Sequence, residues 1–116
     1  MKRYLFLIAY EPGGWDQASV EEQQVFVDQH QAFSDYLAQH GREISAAALA
    51  GADTATTVRH ESGELAVSDG PFAETVEMIG GYYDAELPDL DHATAAAALL
   101  PVCYSVEIRP TVAIGQ

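Results

Sequence analysis

Residues 4–22, YLFLIAYEPGGWDQASVEE, decide the fold. Tyr4 to Tyr10 is apolar on both alternating faces, the pattern of a strand covered on both sides. Pro12-Gly13-Gly14 then breaks the extended run. Ser19-Val20-Glu21-Glu22 has the form of a capping box, with a hydroxyl for an orphan amide and a carboxylate three residues on, so a long helix starts there. Its end is predicted at His40-Gly41, with glycine in the left-handed position past the last turn. Val20, Val27, Phe33 and Leu37 recur at helical spacing as its buried stripe, and His30 falls on that stripe.

Further along, a second strand is predicted from Glu43 to Ala50, with a loop at Gly51-Ala52-Asp53. Thr54–His60 and Glu64–Asp69 read as two strands joined by Glu61-Ser62-Gly63, a connection short enough for a hairpin, with glycine free to take positive φ. Gly80–Leu87 reads as another strand. Asp89 is placed to cap an alanine-rich helix ending near Leu100, where Pro101 stops it. The last strand alternates Val102, Tyr104, Val106 and Ile108 on one face with Cys103, Ser105, Glu107 and Arg109 on the other.

This order predicts an α+β fold, ferredoxin-like βαβ-(hairpin)-βαβ with an antiparallel sheet, in one domain over residues 1–112 followed by a tail at 113–116. Two helices cover one sheet face. The other face still carries half of the apolar first strand, and a second copy packed sheet against sheet is its most economical cover, so a homodimer is expected.

Composition narrows the function. The chain has 116 residues and a formal charge of −13, from 18 acidic and 5 basic side chains. Such a surface repels phosphate backbones and anionic headgroups, so neither nucleic acid nor membrane is an expected partner. The opening apolar run is too short to export the chain or to span a bilayer, and a lone Cys103 suits a reducing cytoplasm. No glycine-rich phosphate loop or G-x-S-x-G elbow is present, and no His/Asp/Glu spacing matches a zinc or calcium motif. The expectation is therefore no metal and no cofactor.

His30 is the leading candidate for chemistry, since an imidazole on an inward helix face exchanges protons near neutral pH when a cavity reaches it. Its alternative is a core histidine satisfied by a backbone carbonyl. Asp69-Gly70-Pro71-Phe72 ends a strand in a turn. Asp69 shares parity with Leu65 and Val67, which would aim its carboxylate at the apolar side as a partner for an imidazole N–H, unless it only closes an Asx turn. Tyr82 and Tyr83 after Gly80-Gly81 are placed to line a pocket with one hydroxyl aimed at a ligand, unless they only pack in a core or interface, and Tyr82, Phe72 and Glu74 are the substrate-binding candidates. His40, His60 and His92 read as surface residues.

Asp69-Gly70-Pro71-Phe72-Ala73-Glu74-Thr75-Val76-Glu77, followed by Ile79-Gly80-Gly81-Tyr82-Tyr83 and by Val106-Glu107-Ile108-Arg109-Pro110, resembles the DGPF branch of the YCII-related proteins. The Tyr4–Ile8 strand and Thr56-Thr57-Val58-Arg59 are similar too. The resemblance implies a ferredoxin-like subunit in a dimeric α/β barrel with a His-Asp pair, here His30 and Asp69. Two departures stand out: Val76 occupies a position where the branch often has lysine, and Leu100–Ser105 lacks the small-residue lead-in to the last strand. Two functions are expected from this. One is cofactor-independent acid/base chemistry of isomerase, lyase or dehydrohalogenase type on a small cyclic metabolite. The other is a non-catalytic small-molecule-binding or regulatory module, associated with a sigma factor.

Overall fold

The computed structural model describes residues 1–114, so the last two residues of the expected tail lie outside the described residues. The elements are β1 (Lys2–Tyr10), α1 (Gly14–Gln17), α2 (Val20–His40), β2 (Arg42–Ala48), a 3-10 turn at Ala52–Thr54, β3 (Thr56–Glu61), β4 (Glu64–Asp69), β5 (Met78–Leu87), α3 (Leu90–Ala97) and β6 (Ser105–Pro110). Four strands form an antiparallel sheet in the order β2-β5-β1-β6, while β3 and β4 pair only with each other. The order and the two helical crossovers make this the ferredoxin-like split βαβ arrangement, with the hairpin set aside from the main sheet.

The capping box at the start of α2 is complete. Ser19 Oγ accepts from the Glu22 amide at 3.1 Å, and Glu22 Oε1 accepts from the Ser19 amide at 2.9 Å. Asp89 caps α3 through the His92 amide at 3.0 Å. The β3–β4 connection is a two-residue turn with positive φ at both Ser62 and Gly63, whose twist matches that of the strands it joins.

The core lies between α2, α3 and one sheet face. Tyr4, Phe6 and Ile8 of β1 and Ala85 and Leu87 of β5 meet Phe33 and Leu37 of α2 and Ala93 and Ala96 of α3. Phe6 and Phe33 meet edge to face, their centroids 5.2 Å apart, a favoured arrangement of aromatic quadrupoles.

Three local expectations need correction. Val20 and Val27 are exposed, and the inward stripe of α2 runs through Phe26, His30, Phe33 and Leu37, spaced by four, three and four residues. Gly41 has φ −169° rather than a left-handed value. Glycine is required there because a Cβ would strike the carbonyl of Glu86 in β5, reaching 2.9 Å from its carbon. Val102 is exposed and stands before the last strand, which begins at Ser105.

Two features bear on function. α2 reaches the start of β2, where Ser34 donates to Glu43, but leaves the later part of this edge strand bare at Ala46 and Ala48, and a cleft opens there on the helix side of the sheet. The β3–β4 hairpin leaves Val58, Leu65 and Val67 of one face in solvent. The radius of gyration is 16.4 Å, against ~13 Å for a compact chain of about 100 residues, which fits a projecting ribbon. No helix among the described residues is long and apolar enough to cross a membrane.

Candidate functional site

His30 sits midway along α2, half-buried, and both its ring nitrogens are engaged. Nδ1 is 2.6 Å from the Tyr83 hydroxyl and Nε2 is 3.0 Å from the Tyr104 hydroxyl. A neutral imidazole has one N–H and one bare nitrogen, and a hydroxyl both donates and accepts, so the three groups form a continuous chain in either sense. If Tyr104 donates to Nε2, then Nδ1–H donates to Tyr83. If Tyr83 donates to Nδ1, then Nε2–H donates to Tyr104, whose own O–H is left for a ligand.

The fold explains this convergence. Tyr83 shares strand parity with Ala85 and Leu87, so its ring faces the helices and lies 4.5 Å from Phe33 between centroids. Tyr104 precedes β6 by one residue, in a turn where its amide donates to the Pro101 carbonyl at 3.1 Å. The ring of Tyr10 stacks on that of Tyr104 at 5.2 Å. Tyr10 is positioned by an irregularity in the β1–β5 register, where Ile8 faces Gly81 and Ala9 faces Ile79, leaving Gly80 as the extra residue of a bulge. Gly80 must lack a side chain because a Cβ would run into the Tyr10 ring.

Burial sets the protonation states. Desolvation lowers the pKa of His30 below its ordinary value, which keeps the ring neutral and able to accept a proton. Burial raises Tyr83, with a further push from Glu43. Tyr104 is pushed up to about 12 by burial and then by Tyr10, Cys103 and Tyr83, so it remains a hydroxyl and a donor. Burial is the largest cause of all three shifts, because it favours the neutral form of each group.

Space for a ligand lies on both sides of this chain. The cleft beside β2, about 320 Å³, is lined by Ile8, Tyr10, His30, Ala46–Ala48, Gly80–Tyr83 and Tyr104. A larger one of about 560 Å³ lies beyond Tyr104, among Tyr10, Trp15, Phe26 and Glu77. Volumes of this order suit small molecules.

Of the residues expected at a site, His30 and Tyr82 line the same cleft. Tyr82 alternates with Tyr83, however, and its register with Leu7 turns its ring toward the sheet face away from the helices, so Tyr82 borders the cleft without its ring converging on His30. Asp69 closes β4 in the separate hairpin, is exposed, and has no contact with His30. Within one subunit the imidazole therefore finds tyrosines where an aspartate was expected. Phe72, 75% exposed, borders a different cleft of about 490 Å³ with Leu49, Ala52, Met78 and Ile79. Glu74 is exposed in the same loop. The Asp-Gly-Pro-Phe turn itself is tied to β3: Gly70 N donates to Ala55 O at 2.7 Å, Thr57 Oγ1 to Gly70 O at 2.8 Å, and Arg59 to Phe72 O at 2.6 Å.

Sequence reasoning passed over Tyr83 and Tyr104 as the partners of His30. A signal was available: Tyr83 falls in step with Leu87, and Tyr104 with Val106 and Ile108, whereas Tyr82 falls in step with Asp84 and Glu86. Among the described residues, no three His, Cys, Asp or Glu side chains converge as metal ligands would.

Known proteins are similar to this chain at the level of both a family and a curated relative. The YCII-related domain model matches residues 2–111. An uncharacterized protein of Rhizobium meliloti (strain 1021) is 45% identical over 60 residues, which is 48% of this chain and 48% of that protein. The match thus spans about half the length of the curated relative.

Proposed function

The chain belongs to the YCII-related domain family, and from that premise we propose that it is a homodimeric, cofactor-independent acid/base enzyme acting on a small cyclic metabolite, with His30 as its base. The observation that carries this is the engagement of both ring nitrogens by tyrosine hydroxyls at the edge of a cleft.

The chemistry follows from the chain of three groups. A substrate in the cleft gives an acidic proton to Tyr104 Oη while the proton already on that oxygen passes to His30 Nε2. The imidazolium formed is held by Nδ1–H donating to Tyr83. The reverse transfer returns a proton to a second substrate atom, completing a proton shift with no electrons gained or lost. A depressed His30 keeps the base free at neutral pH, and a raised Tyr104 keeps its proton for relay rather than losing it to water. The tyrosines take over the orienting role first expected of Asp69.

Assembly as a dimer is supported by the exposed Val58, Leu65 and Val67 face of the hairpin and by Leu5 and Leu7 on the sheet face that no helix covers. An exposed free Cys103 suits a reducing cytoplasm.

The test is a screen of small cyclic carbonyl compounds for deuterium uptake from D₂O, followed by proton NMR. Exchange above the buffer rate is expected with the wild-type chain, and His30→Gln should lower it by about 10²–10⁴-fold. Exchange that survives unchanged in His30→Gln, or no exchange in any compound of the class, overturns the reading.

A further inference from the structure

We infer that the cleft walled by Tyr10, Trp15, Phe26 and Tyr104 and edged by Glu11 and Glu77 binds a small organic ammonium ion. This deepens the proposed acid/base function and rests on it in one respect. Tyr104 belongs to both sites, so the bound cation is the charged end of the substrate whose reacting end meets the Tyr104 hydroxyl.

The walls come from four parts of the chain: the end of β1, α1, the first half of α2 and the turn before β6. Trp15 and Phe26 meet edge to face at 6.1 Å, Phe26 and Tyr104 lie 6.1 Å apart, and Tyr104 stacks on Tyr10 at 5.2 Å. Four rings packed on one another thus line one hollow. The negative face of an aromatic ring attracts a cation within about 6 Å of its centre, and quaternary ammonium groups are held in such cages.

Charge selects the occupant. The two Asp/Glu/Lys/Arg side chains in the lining, Glu11 and Glu77, are both acidic, and Ser105 Oγ, 3.0 Å from each Glu77 carboxylate oxygen, steadies that carboxylate. Among the described residues, no basic side chain lines the cleft. Arg3 pairs with Asp84, Arg42 with Glu86 and Arg109 with Glu107, while Arg59 donates to the Phe72 carbonyl. Lys2, the remaining basic side chain, starts β1 at the end opposite Tyr10, ~26 Å away at the rise of a strand. Among the described residues the hollow is thus edged by two carboxylates and no basic side chain, and the net charge of −13 favours cations over anions there. A neutral aromatic would gain from the rings alone, and an anion would be repelled.

Trp15 is the chain's single tryptophan, so its fluorescence reports on this cleft directly. The probes are choline and 3,3-dimethyl-1-butanol, which has the same shape without the charge. Choline should change Trp15 emission saturably and bind at least about tenfold more tightly than the alcohol. Glu77→Gln, an exposed and conservative change, should weaken choline about threefold or more and leave the alcohol unaffected. Equal binding of the two probes, the absence of a saturable response to choline, or choline binding unchanged by Glu77→Gln would each overturn the inference. The two claims fail separately. Choline binding without His30-dependent deuterium exchange removes the acid/base reading and leaves the cation site. Exchange without choline binding does the reverse.

Discussion

Removing the two hydroxyls that hold His30, singly and together, tests whether the three groups act as one unit. Tyr83→Phe keeps the ring that packs on Phe33 and deletes only the oxygen 2.6 Å from Nδ1. Nδ1 then faces aromatic carbon, and a half-buried nitrogen without a partner costs ~1–3 kcal/mol. Tyr104→Phe deletes the partner of Nε2, and because both tyrosines border the same clefts its loss should fall in the same range, ~1–3 kcal/mol. If the bonds polarise and orient each other through the imidazole, losing one already weakens the second. The double variant should then lose less than the sum of the two, by at least ~0.5 kcal/mol. The assay is urea unfolding near pH 8, where the imidazole is neutral, with all four proteins required to share the same slope. Single losses that add to within ~0.3 kcal/mol would show two independent hydrogen bonds and refute the relay.

Two further outcomes follow from the same geometry. Burial depresses His30, so below its ordinary value of 6.5 the unfolded chain takes up a proton that the folded ring resists. Stability should therefore fall as pH drops from about 6.5 toward the folded pKa and level off beneath it, an effect damped by the ring's partial exposure. Urea midpoints at about pH 7.5 and about pH 5.5 should separate more in wild type than in His30→Gln, and equal separations would contradict burial as the cause. Gly41→Ala should destabilise by ~1–3 kcal/mol or more, because its Cβ meets the backbone of Glu86 rather than a flexible side chain. A thermal melt that does not move would show that the α2–β2 junction yields easily.

The frame of this fold was legible because its signals are local. The Ser19–Glu22 box marks the start of α2, Ser62-Gly63 the hairpin, and Asp89 the start of α3, each within four residues of the structure it specifies. The inward stripe of α2 was half legible. Val20 and Val27 have the right hydrophobicity and spacing but fall where no strand or helix lies opposite, and Phe26 takes their place. The candidate site was harder to read. His30 meets Tyr83 and Tyr104 across separations of 53 and 74 residues, set by the strand order and by a bulge at Gly80. Periodicity assigns a residue to a face but does not say which other element arrives there. Asp69 illustrates this limit: its parity is shared with Leu65 and Val67, yet the face it belongs to is that of the hairpin and not of the main sheet.

That the β3–β4 ribbon keeps a hydrogen-bond ladder of its own makes its pairing independent of the main sheet's. Residues inserted into or removed from a strand of the main sheet would turn every following side chain to the wrong surface. The ribbon can lengthen, shorten or exchange its Val58, Leu65 and Val67 without altering the alignment of β1 with β5. The ribbon's exposed face can thus be reshaped while the imidazole and its two phenols stay in register.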